Sequence, residues 1–380
     1  MKKLKIAIIT DWLVKIGGAE IVLKDIIDAF EGHDITLITS VYNKNLKEFK
    51  EHKKILTFLN KIPFSSKIYK LLFGLMPYAF RNINLDEFDI AINSNWALSK
   101  CIKTNVNTFH IGYVHNPTRY LWCDSKNYFL SSGPKWIYTL LKPILHQLRQ
   151  IDFINAKNFD YIVCNSKTVQ KRIKKYYRLD SKVLNPASHT IFKPQKKLDE
   201  EYYVSLGRLK GFKRFDLTIK AFNKNKKNLV IIGEGEEENQ LKKLANKNIK
   251  FLGRVNDKTR DKYLQNAKAL IFPQEEDFGI TIIDALRNKI PVIAFKKGGA
   301  KEIINKDCGI FFEKQTVGAI NNAIKKFEDM RFDKEKIYKK SLKYDKKNFQ
   351  ENFKKIVLSE YEKYKEKYID WLPTITKFSI

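Results

Sequence analysis

The chain has few of the residues that build disulfide-linked or metal-stabilised folds. Its 380 residues include four cysteines, Cys101, Cys123, Cys164 and Cys308, which lie far apart with no Cys-x-x-Cys pair. This spacing favours neither a zinc site nor a disulfide framework. Unpaired cysteines are typical of a reducing compartment, so we expect a cytoplasmic protein.

Long apolar runs are also missing. Leu71–Phe80 is among the longest and falls well short of the ~20 residues that a membrane-spanning helix needs. The N-terminal apolar run Ile6–Thr10 stops at Asp11, so it is too short for a signal peptide and predicts a first strand. The chain is nevertheless 43% apolar and 13% aromatic, which provides for sizeable cores and excludes global disorder.

Acidic residues are scarce beside basic ones. The chain has 72 Lys and Arg against 42 Asp and Glu, a net charge of +30. Such a protein is attracted to polyanions, whether nucleic acid, anionic lipid or phosphorylated small molecules. The abundance of Lys, Asn and Ile also fits the codon bias of an AT-rich genome, so charge alone does not select a function.

Short continuous apolar runs alternate with helical patterns in both halves, which predicts two doubly wound parallel sheets. The predicted strands of the first half are Leu4–Thr10, Asp34–Ile38, Asp89–Asn93, Thr108–Val114 and Tyr161–Asn165. Those of the second half are Tyr202–Leu206, Asn228–Ile232, Ile249–Leu252, Ala269–Phe272 and Pro291–Ala294. We therefore expect an N-terminal domain over residues 1–185, a linker over 186–199, a C-terminal domain over 200–345, and closing helices over 346–380 that pack back towards the N-terminal domain.

Two motifs of the first half follow predicted strands, where ligands bind in open parallel sheets. Gly17 and Gly18 open a helix after the first strand, and a glycine turn at a helix N-terminus can approach a phosphate closely. His115 follows the strand that ends at Val114, from where an imidazole can donate to a substrate oxygen. Each motif alone also fits an ordinary turn or a structural histidine.

Three motifs of the second half occupy the same kind of position. Arg208 and Lys213 lie in a basic loop, GRLKGFKR, which suits a leaving diphosphate. Glu276 and Asp284 are eight residues apart in EDFGITIID and could address a sugar and a ribose diol. A further turn, Gly298-Gly299, could cradle phosphate, whereas we interpret Gly233-Glu234-Gly235 as a supporting turn because acidic residues follow it.

The order of these motifs resembles glycosyltransferase family 4, a retaining family with the GT-B fold of two Rossmann-like domains that face a cleft. The resemblance covers nearly the whole chain, and the segments YVHNPTRYLW and GRLKGFKRFD are similar to bacterial mannosyltransferases of surface-polysaccharide and lipopolysaccharide synthesis. The family's two-glutamate motif corresponds to Glu276 and Asp284, and its second acid is here one methylene shorter.

The resemblance implies a hexosyl transfer, with mannose from GDP-mannose as the expected donor and a lipid-linked saccharide as the expected acceptor. It assigns catalytic roles to His115, Arg208, Lys213 and Glu276. It assigns donor binding to six further residues: Gly17, Gly18, Phe278, Gly279, Ile280 and Asp284. No Asp-x-Asp occurs in the chain, so we expect neither a metal nor another cofactor, with cations in place of the divalent ion.

The basic excess suggests peripheral attachment to the inner face of the cytoplasmic membrane. Residues 133–180 contain ten Lys or Arg against three Asp or Glu, interleaved with apolar side chains, and Lys61–Phe80 is similarly basic and apolar. Each basic residue near an anionic leaflet contributes about 1 kcal/mol. An ordinary solvated face is the alternative.

Other functions stay open at this stage. A UDP-sugar donor would keep the fold and the mechanism. A sugar-nucleotide epimerase, a phosphorylase with a pyridoxal cofactor, and an inactive donor-binding subunit are further alternatives. A polyanion-binding protein would explain the charge, but no zinc finger or RNA-binding aromatic motif supports nucleic acid as a partner.

Overall fold

The computed structural model describes residues 3–123 and 135–369. They divide into two compact units. The first unit holds the described residues up to Asn185 together with those from Phe349 onward, and the second unit is Pro186–Asn348. Residues 186–199, predicted to be a linker, thus group with the second unit.

The first unit is built on a seven-stranded parallel sheet of order β3-β2-β1-β4-β5-β6-β7. Its strands are β1 Lys5–Thr10, β2 Asp34–Thr39, β3 Lys53–Leu56, β4 Ile90–Asn95, β5 Phe109–Val114, β6 Tyr161–Cys164 and β7 Lys182–Val183. Ile6 to Ile9 of β1 are fully buried, because helices cover both faces of the sheet and apolar side chains can point either way.

The helices of the first unit cross between these strands. They are α1 Gly18–Ala29, α2 Ser65–Ile68, α3 Met76–Arg81, α4 Arg119–Trp122, α5 Lys135–Asn155, α6 Lys167–Tyr176 and, after the second unit, a C-terminal helix Lys346–Tyr364 that ends in a π-helical turn, Lys365–Ile369. Short 3₁₀ segments lie at Lys47–Phe49, Phe58–Lys61, Leu71–Leu75, Ser99–Cys101 and Ala156–Asn158.

The second unit repeats the architecture with a six-stranded parallel sheet of order β10-β9-β8-β11-β12-β13. Its strands are β8 Tyr203–Leu206, β9 Leu229–Ile232, β10 Ile249–Gly253, β11 Leu270–Phe272, β12 Val292–Phe295 and β13 Gly309–Phe312. Its helices are α7 Phe215–Asn225, α8 Glu238–Leu244, α9 Asp257–Asn266, α10 Ile280–Arg287, α11 Ala300–Ile303, α12 Val317–Glu328 and α13 Lys334–Ser341. Two Rossmann-like domains were predicted, and this prediction is confirmed.

The C-terminal helix packs within the first unit. Phe353 is fully buried, and its ring lies edge-on to Phe30 and Tyr113, with centroid distances of 6.2 and 5.7 Å. The hydroxyl of Tyr364 donates to the carbonyl of Val106 at 2.9 Å. Burial of a Phe side chain contributes about 1.5–3 kcal/mol, so this helix is an integral part of the unit.

Candidate active site

The basic loop predicted from the sequence follows β8. In both sheets the strand order reverses beside the first strand, between β1 and β4 and between β8 and β11. Where the strand order reverses, the loops that follow the two adjacent strands run in opposite directions. A crevice therefore opens between these loops, beyond the carboxyl ends of the strands. Arg208 lies exposed directly after β8, and Lys213 ends the 3₁₀ turn Gly211–Lys213 with 15% of its side chain exposed.

The acidic loop follows β11, on the other side of the same crevice. It runs from Pro273 to Gly279, where a left-handed φ of +105° turns the chain into α10. Phe278 is 4% exposed and its ring packs 5.6 Å from that of Tyr344. The side chain of Phe278, to which the resemblance assigned donor binding, is therefore part of the core of the second unit.

The two loops meet through one ion pair. Nζ of Lys213 contacts Oε1 of Glu276, and each side chain is only 15% exposed. Gln274 Nε2 donates to the same oxygen at 3.3 Å. Partial burial strengthens this attraction relative to a surface pair. The structure thus brings together two of the four residues to which the resemblance assigned catalytic roles.

Glycine turns after the neighbouring strands β9 and β12 pack closely against the basic loop and the acidic loop. Gly233 follows β9 with φ +140°, and an added Cβ would overlap the carbonyl oxygen of Gly207 in the basic loop. Gly298 follows β12 with φ +61°, and an added Cβ would overlap the carbonyl oxygen of Glu276. The Gly298 turn was predicted to cradle phosphate, and in the structure it supports the acidic loop.

Asp284 lies in the second turn of α10, and two hydroxyls engage it. Its Oδ1 accepts from Ser188 Oγ at 2.7 Å and from Thr190 Oγ1 at 2.9 Å. Arg260 donates to Thr190 Oγ1 at 3.0 Å. Burial raises the pKa of Asp284, and the positive charge of Arg260 opposes that rise. The sequence did not predict Ser188 and Thr190 as partners of Asp284, because both lie in the segment predicted to be a linker.

Gly17 and Gly18 lie at the carboxyl-end edge of the first sheet, before α1. Gly17 is the N-cap of α1, and its N–H donates to Glu20 Oε2 at 2.8 Å. Gly18 is exposed at the first position of the helix. Neither glycine has a left-handed φ, so the backbone conformation at these two positions does not itself require glycine.

His115 follows β5 at the same edge, in the first unit. The ring nitrogen Nε2 lies 2.9 Å from Ser94 Oγ, and the backbone N–H of His115 donates to the carbonyl of Asn95 at 2.9 Å. The ring packs edge-on against Trp96 and Tyr113, with centroid distances of 5.7 and 5.1 Å. Burial lowers the pKa of His115 to about 3, so the imidazole is neutral at physiological pH.

Asp11 also lies at the carboxyl ends of the strands of the first sheet. No functional role was predicted for it from the sequence, where it marks the end of an apolar run. It follows β1, is fully buried, and accepts three backbone N–H groups from the segment after β4: those of Trp96 and Ala97 at 2.8 Å and that of Ser99 at 2.7 Å. Burial raises the pKa of Asp11, and these hydrogen bonds oppose the rise. The sequence feature that could have predicted this role is a single acidic residue directly after a buried strand.

A buried ion pair connects the segment after β4 to helix α5. Lys100 and Asp152 are both 0% exposed, and Lys100 Nζ lies 2.6 Å from Asp152 Oδ1. Thr118 Oγ1 donates to Asp152 Oδ1 at 2.6 Å, while Trp122 Nε1 and Tyr177 Oη donate to Oδ2 at 2.6 and 2.8 Å. Two residues of YVHNPTRYLW, Thr118 and Trp122, therefore hold the loop after β5 in place.

No group of three or more His, Cys, Asp or Glu side chains within residues 3–123 and 135–369 has a geometry that could hold a metal ion. Each helix within these described residues is too short or too polar to span a lipid bilayer.

Comparison with known sequences supports a transferase domain. Residues 188–347 match the family model of Glycosyl transferases group 1. An uncharacterized glycosyltransferase of Haemophilus influenzae is 24% identical over 319 residues, which cover 79% of this chain and 84% of that protein. The O-antigen chain mannosyltransferase C of Escherichia coli is 25% identical over 187 residues, 46% of this chain and 50% of that protein.

Comparison with solved structures shows the fold. Sucrose-phosphate synthase from Thermosynechococcus elongatus aligns with a TM-score of 0.71 at 15% identity, over 95% of this chain and 100% of that chain. Anabaena HepE in complex with UDP aligns with a TM-score of 0.66 at 15% identity, over 94% and 100%. The second unit is therefore similar to the glycosyl transferases group 1 domain over residues 188–347, and the chain has the GT-B fold.

Proposed function

We propose that the protein is a retaining glycosyltransferase of family 4 type, which transfers a hexose from a nucleotide-diphosphate sugar to a saccharide acceptor. The observation that carries the proposal is the Lys213–Glu276 pair at the carboxyl ends of β8 and β11. It sets an ammonium and a carboxylate where an open parallel sheet binds its ligand. Arg208 stands exposed in the same loop and supplies a second cation for a diphosphate.

In the proposed reaction the bond between the anomeric carbon and the diphosphate oxygen breaks. The acceptor hydroxyl attacks from the same face, and its proton passes to the departing phosphate oxygen. Lys213 and Arg208 neutralise the charge that develops on the diphosphate, which is the main form of catalysis available to such a site. Glu276 contacts the sugar, Gly17 and Gly18 approach the phosphates, and His115 donates to the sugar.

We propose GDP-mannose as the donor and surface-polysaccharide or lipopolysaccharide synthesis as the setting. The name of the Escherichia coli mannosyltransferase and the similar sequence segments support this choice. UDP-sugars are the second candidate, since HepE, which shares the fold, binds UDP. The ribose would meet Asp284, whose Oδ1 is already engaged by Ser188 and Thr190.

A thermal-shift panel tests the donor. We expect GDP and GDP-mannose, at a hundred times their Kd and with EDTA present, to stabilise the protein by about 2.7 kcal/mol, a shift of several degrees. UDP, dTDP and their sugar conjugates serve as the comparison. A selective shift with UDP compounds would replace the donor and keep the mechanism, and no shift with any nucleotide would contradict the proposed site.

We also propose that the first unit attaches to an anionic membrane surface, where a lipid-linked acceptor would be available. In residues 58–81, here called the apolar-basic segment, Phe64, Leu71 and Tyr78 are 73%, 82% and 60% exposed. The same segment contains Lys61, Lys67, Lys70 and Arg81 and no acidic residue. Exposed apolar side chains among basic ones are typical of a surface that inserts at lipid headgroups.

Helix α5 adds to this apolar and basic surface character. Leu140 and Ile144 on α5 are 67% and 52% exposed, and the buried Leu145 and Leu148 of α5 belong to the same core cluster as Leu72 and Phe73 of the apolar-basic segment. The sequence placed a second basic stretch at residues 133–180. Its first two residues, Gly133 and Pro134, lie outside the described residues.

Vesicle binding tests the attachment. The Lys67→Gln/Lys70→Gln variant should bind vesicles that contain phosphatidylglycerol about 30-fold more weakly, since each lost charge removes about 1 kcal/mol. Phe64→Ser/Leu71→Ser should weaken binding as well, including at high salt. Val106→Ser, which removes an apolar residue that is 44% exposed elsewhere in this unit, is the control. Failure of the unmodified protein to sediment with these vesicles at low salt would refute the attachment.

A further inference from the structure

One hydrogen bond at the carboxyl-end edge of the first sheet defines how His115 can act. Ser94, in β4, is fully buried, and its hydroxyl oxygen lies 2.9 Å from His115 Nε2. Hydrogen bonds hold the main chain near both residues. The backbone N–H of His115 donates to the carbonyl of Asn95, and the backbone N–H groups of Trp96 and Ala97 donate to Asp11. The geometry of this hydrogen bond is therefore built into the fold.

The direction of the bond follows from the Ser94 proton. A buried hydroxyl proton needs an acceptor, because leaving it unpaired away from water is costly. Among the described residues, His115 Nε2 is the only hydrogen-bond partner of Ser94 Oγ. If Nε2 carried a proton and donated, the Ser94 proton would have no acceptor. Ser94 therefore donates, and Nε2 accepts with its lone pair.

A neutral ring with an accepting Nε2 carries its proton on Nδ1. Burial keeps the ring neutral at physiological pH, since it lowers the pKa of His115 to about 3. No described residue forms a hydrogen bond with Nδ1. We infer that Ser94 is a positioning residue, which holds His115 as the Nδ1–H tautomer and thereby makes it a neutral hydrogen-bond donor to an oxygen atom of the bound ligand.

This inference limits the mechanism. A ring held in this state offers no basic nitrogen to the ligand, so His115 does not take the proton of the acceptor hydroxyl. That consequence rests on the proposed function, in which the proton passes to the departing phosphate. The tautomer itself does not depend on the function, because it follows from the contacts of Ser94 and His115 alone.

The test is a two-bond ¹H–¹⁵N correlation spectrum of the full chain labelled at histidine, which shows which ring nitrogen is protonated. Six histidines contribute, and His115 is identified by the signals that disappear in His115→Gln. His110 provides an internal reference, because its Nδ1 lies 3.0 Å from the carbonyl of Asn158. A carbonyl only accepts, so His110 must be protonated at Nδ1.

We expect His115 to show the same pattern as His110 between pH 5 and 8. Ser94→Ala should move His115 towards the Nε2–H form and lower kcat about tenfold, the usual effect of one lost hydrogen bond. The control is Thr108→Val, at the position directly before β5. It removes a buried hydroxyl that donates to the carbonyl of Phe88 and should leave the His115 signals unchanged.

Two results would overturn the inference: an Nε2–H pattern in the unmodified protein, or an unchanged His115 pattern in Ser94→Ala. The spectrum requires no substrate, so these results are independent of the proposed function. If the tautomer is as inferred but no nucleotide sugar binds, the proposed function fails and the role of Ser94 stands.

Discussion

Replacing Lys213 with Ala should lower kcat for sugar transfer by about 10²–10³, by analogy with the loss of one oxyanion-hole donor. The ammonium lies at the carboxyl end of β8, where a departing diphosphate would develop its charge. Its loss also leaves the Glu276 carboxylate with the hydrogen bond from Gln274 but without the positive charge of Lys213, and that negative charge then faces the diphosphate. We therefore expect KM for the donor to rise as well, as measured by initial rates with the nucleotide sugar that the thermal-shift panel selects.

A double variant separates these two effects. In Lys213→Ala/Glu276→Gln the repelling charge is gone, so KM for the donor should fall back towards the value of the unmodified protein. The kcat should stay low, because no cation has been restored at the diphosphate. Recovery of both parameters would show that Lys213 serves only to neutralise Glu276.

Lys220 offers a matched control. It lies on α7 in the same unit, its side chain is 54% exposed, and its nearest acid, Asp216, is 4.0 Å away. Lys220→Ala removes one positive charge without touching the crevice, and its kcat and KM should stay within about twofold of normal. A kcat for Lys213→Ala within about fivefold of normal would contradict the catalytic role.

The largest effect on stability should come from Lys100→Met. Removal of one partner of a buried ion pair typically costs 3–5 kcal/mol, because the other charge stays buried without compensation. Asp152 would keep its bonds to Thr118, Trp122 and Tyr177 but would lose the ammonium at 2.6 Å. We expect the free energy of unfolding of the first unit to fall by about 3–5 kcal/mol.

Tryptophan fluorescence suits this measurement. No tryptophan of the chain lies within residues 186–348, and Trp12, Trp96 and Trp122 lie in the first unit, so a urea titration followed by tryptophan emission reports on that unit. Lys103→Met, which removes an exposed lysine three residues away, should change the free energy of unfolding by less than about 0.5 kcal/mol. Lys100→Met/Asp152→Asn should recover part of the loss, since the neutral amide leaves no buried charge and its oxygen still accepts hydrogen bonds from the donors around position 152. A single-variant loss no larger than that of Lys103→Met would disprove the coupling.

The apolar runs were sufficient to predict the central strands of both sheets. β1, β4 and β5 and β8, β11 and β12 lie within a few residues of the predicted ranges, because strands covered on both faces must be apolar throughout. Three strands, β3, β7 and β13, were not among those predicted from the sequence. Each of these is at the edge of its sheet, where only one neighbour pairs with it. Short segments such as Lys53–Leu56 and Lys182–Val183 carry too weak a pattern to be recognised alone.

The sequence alone determined the fold class and the positions of the motifs after the strands. Both follow from local patterns: apolar runs, glycine turns, and the side chains that come next along the chain. It also placed Lys213 and Glu276 in loops after β8 and β11, although nothing local shows that these strands are neighbours. Their sheet order brings the two loops together, which is why the ion pair between them emerges only in the folded unit.

Tertiary structure alone decided the partners and protonation states of the site. The environment of Asp284 depends on Ser188 and Thr190, which are more than ninety positions away in the chain. The state of His115 depends on Ser94 in the adjacent strand, and the buried Lys100 depends on Asp152 in α5. Burial and hydrogen bonding fix a charge or a tautomer, and both arise only from residues that folding brings together.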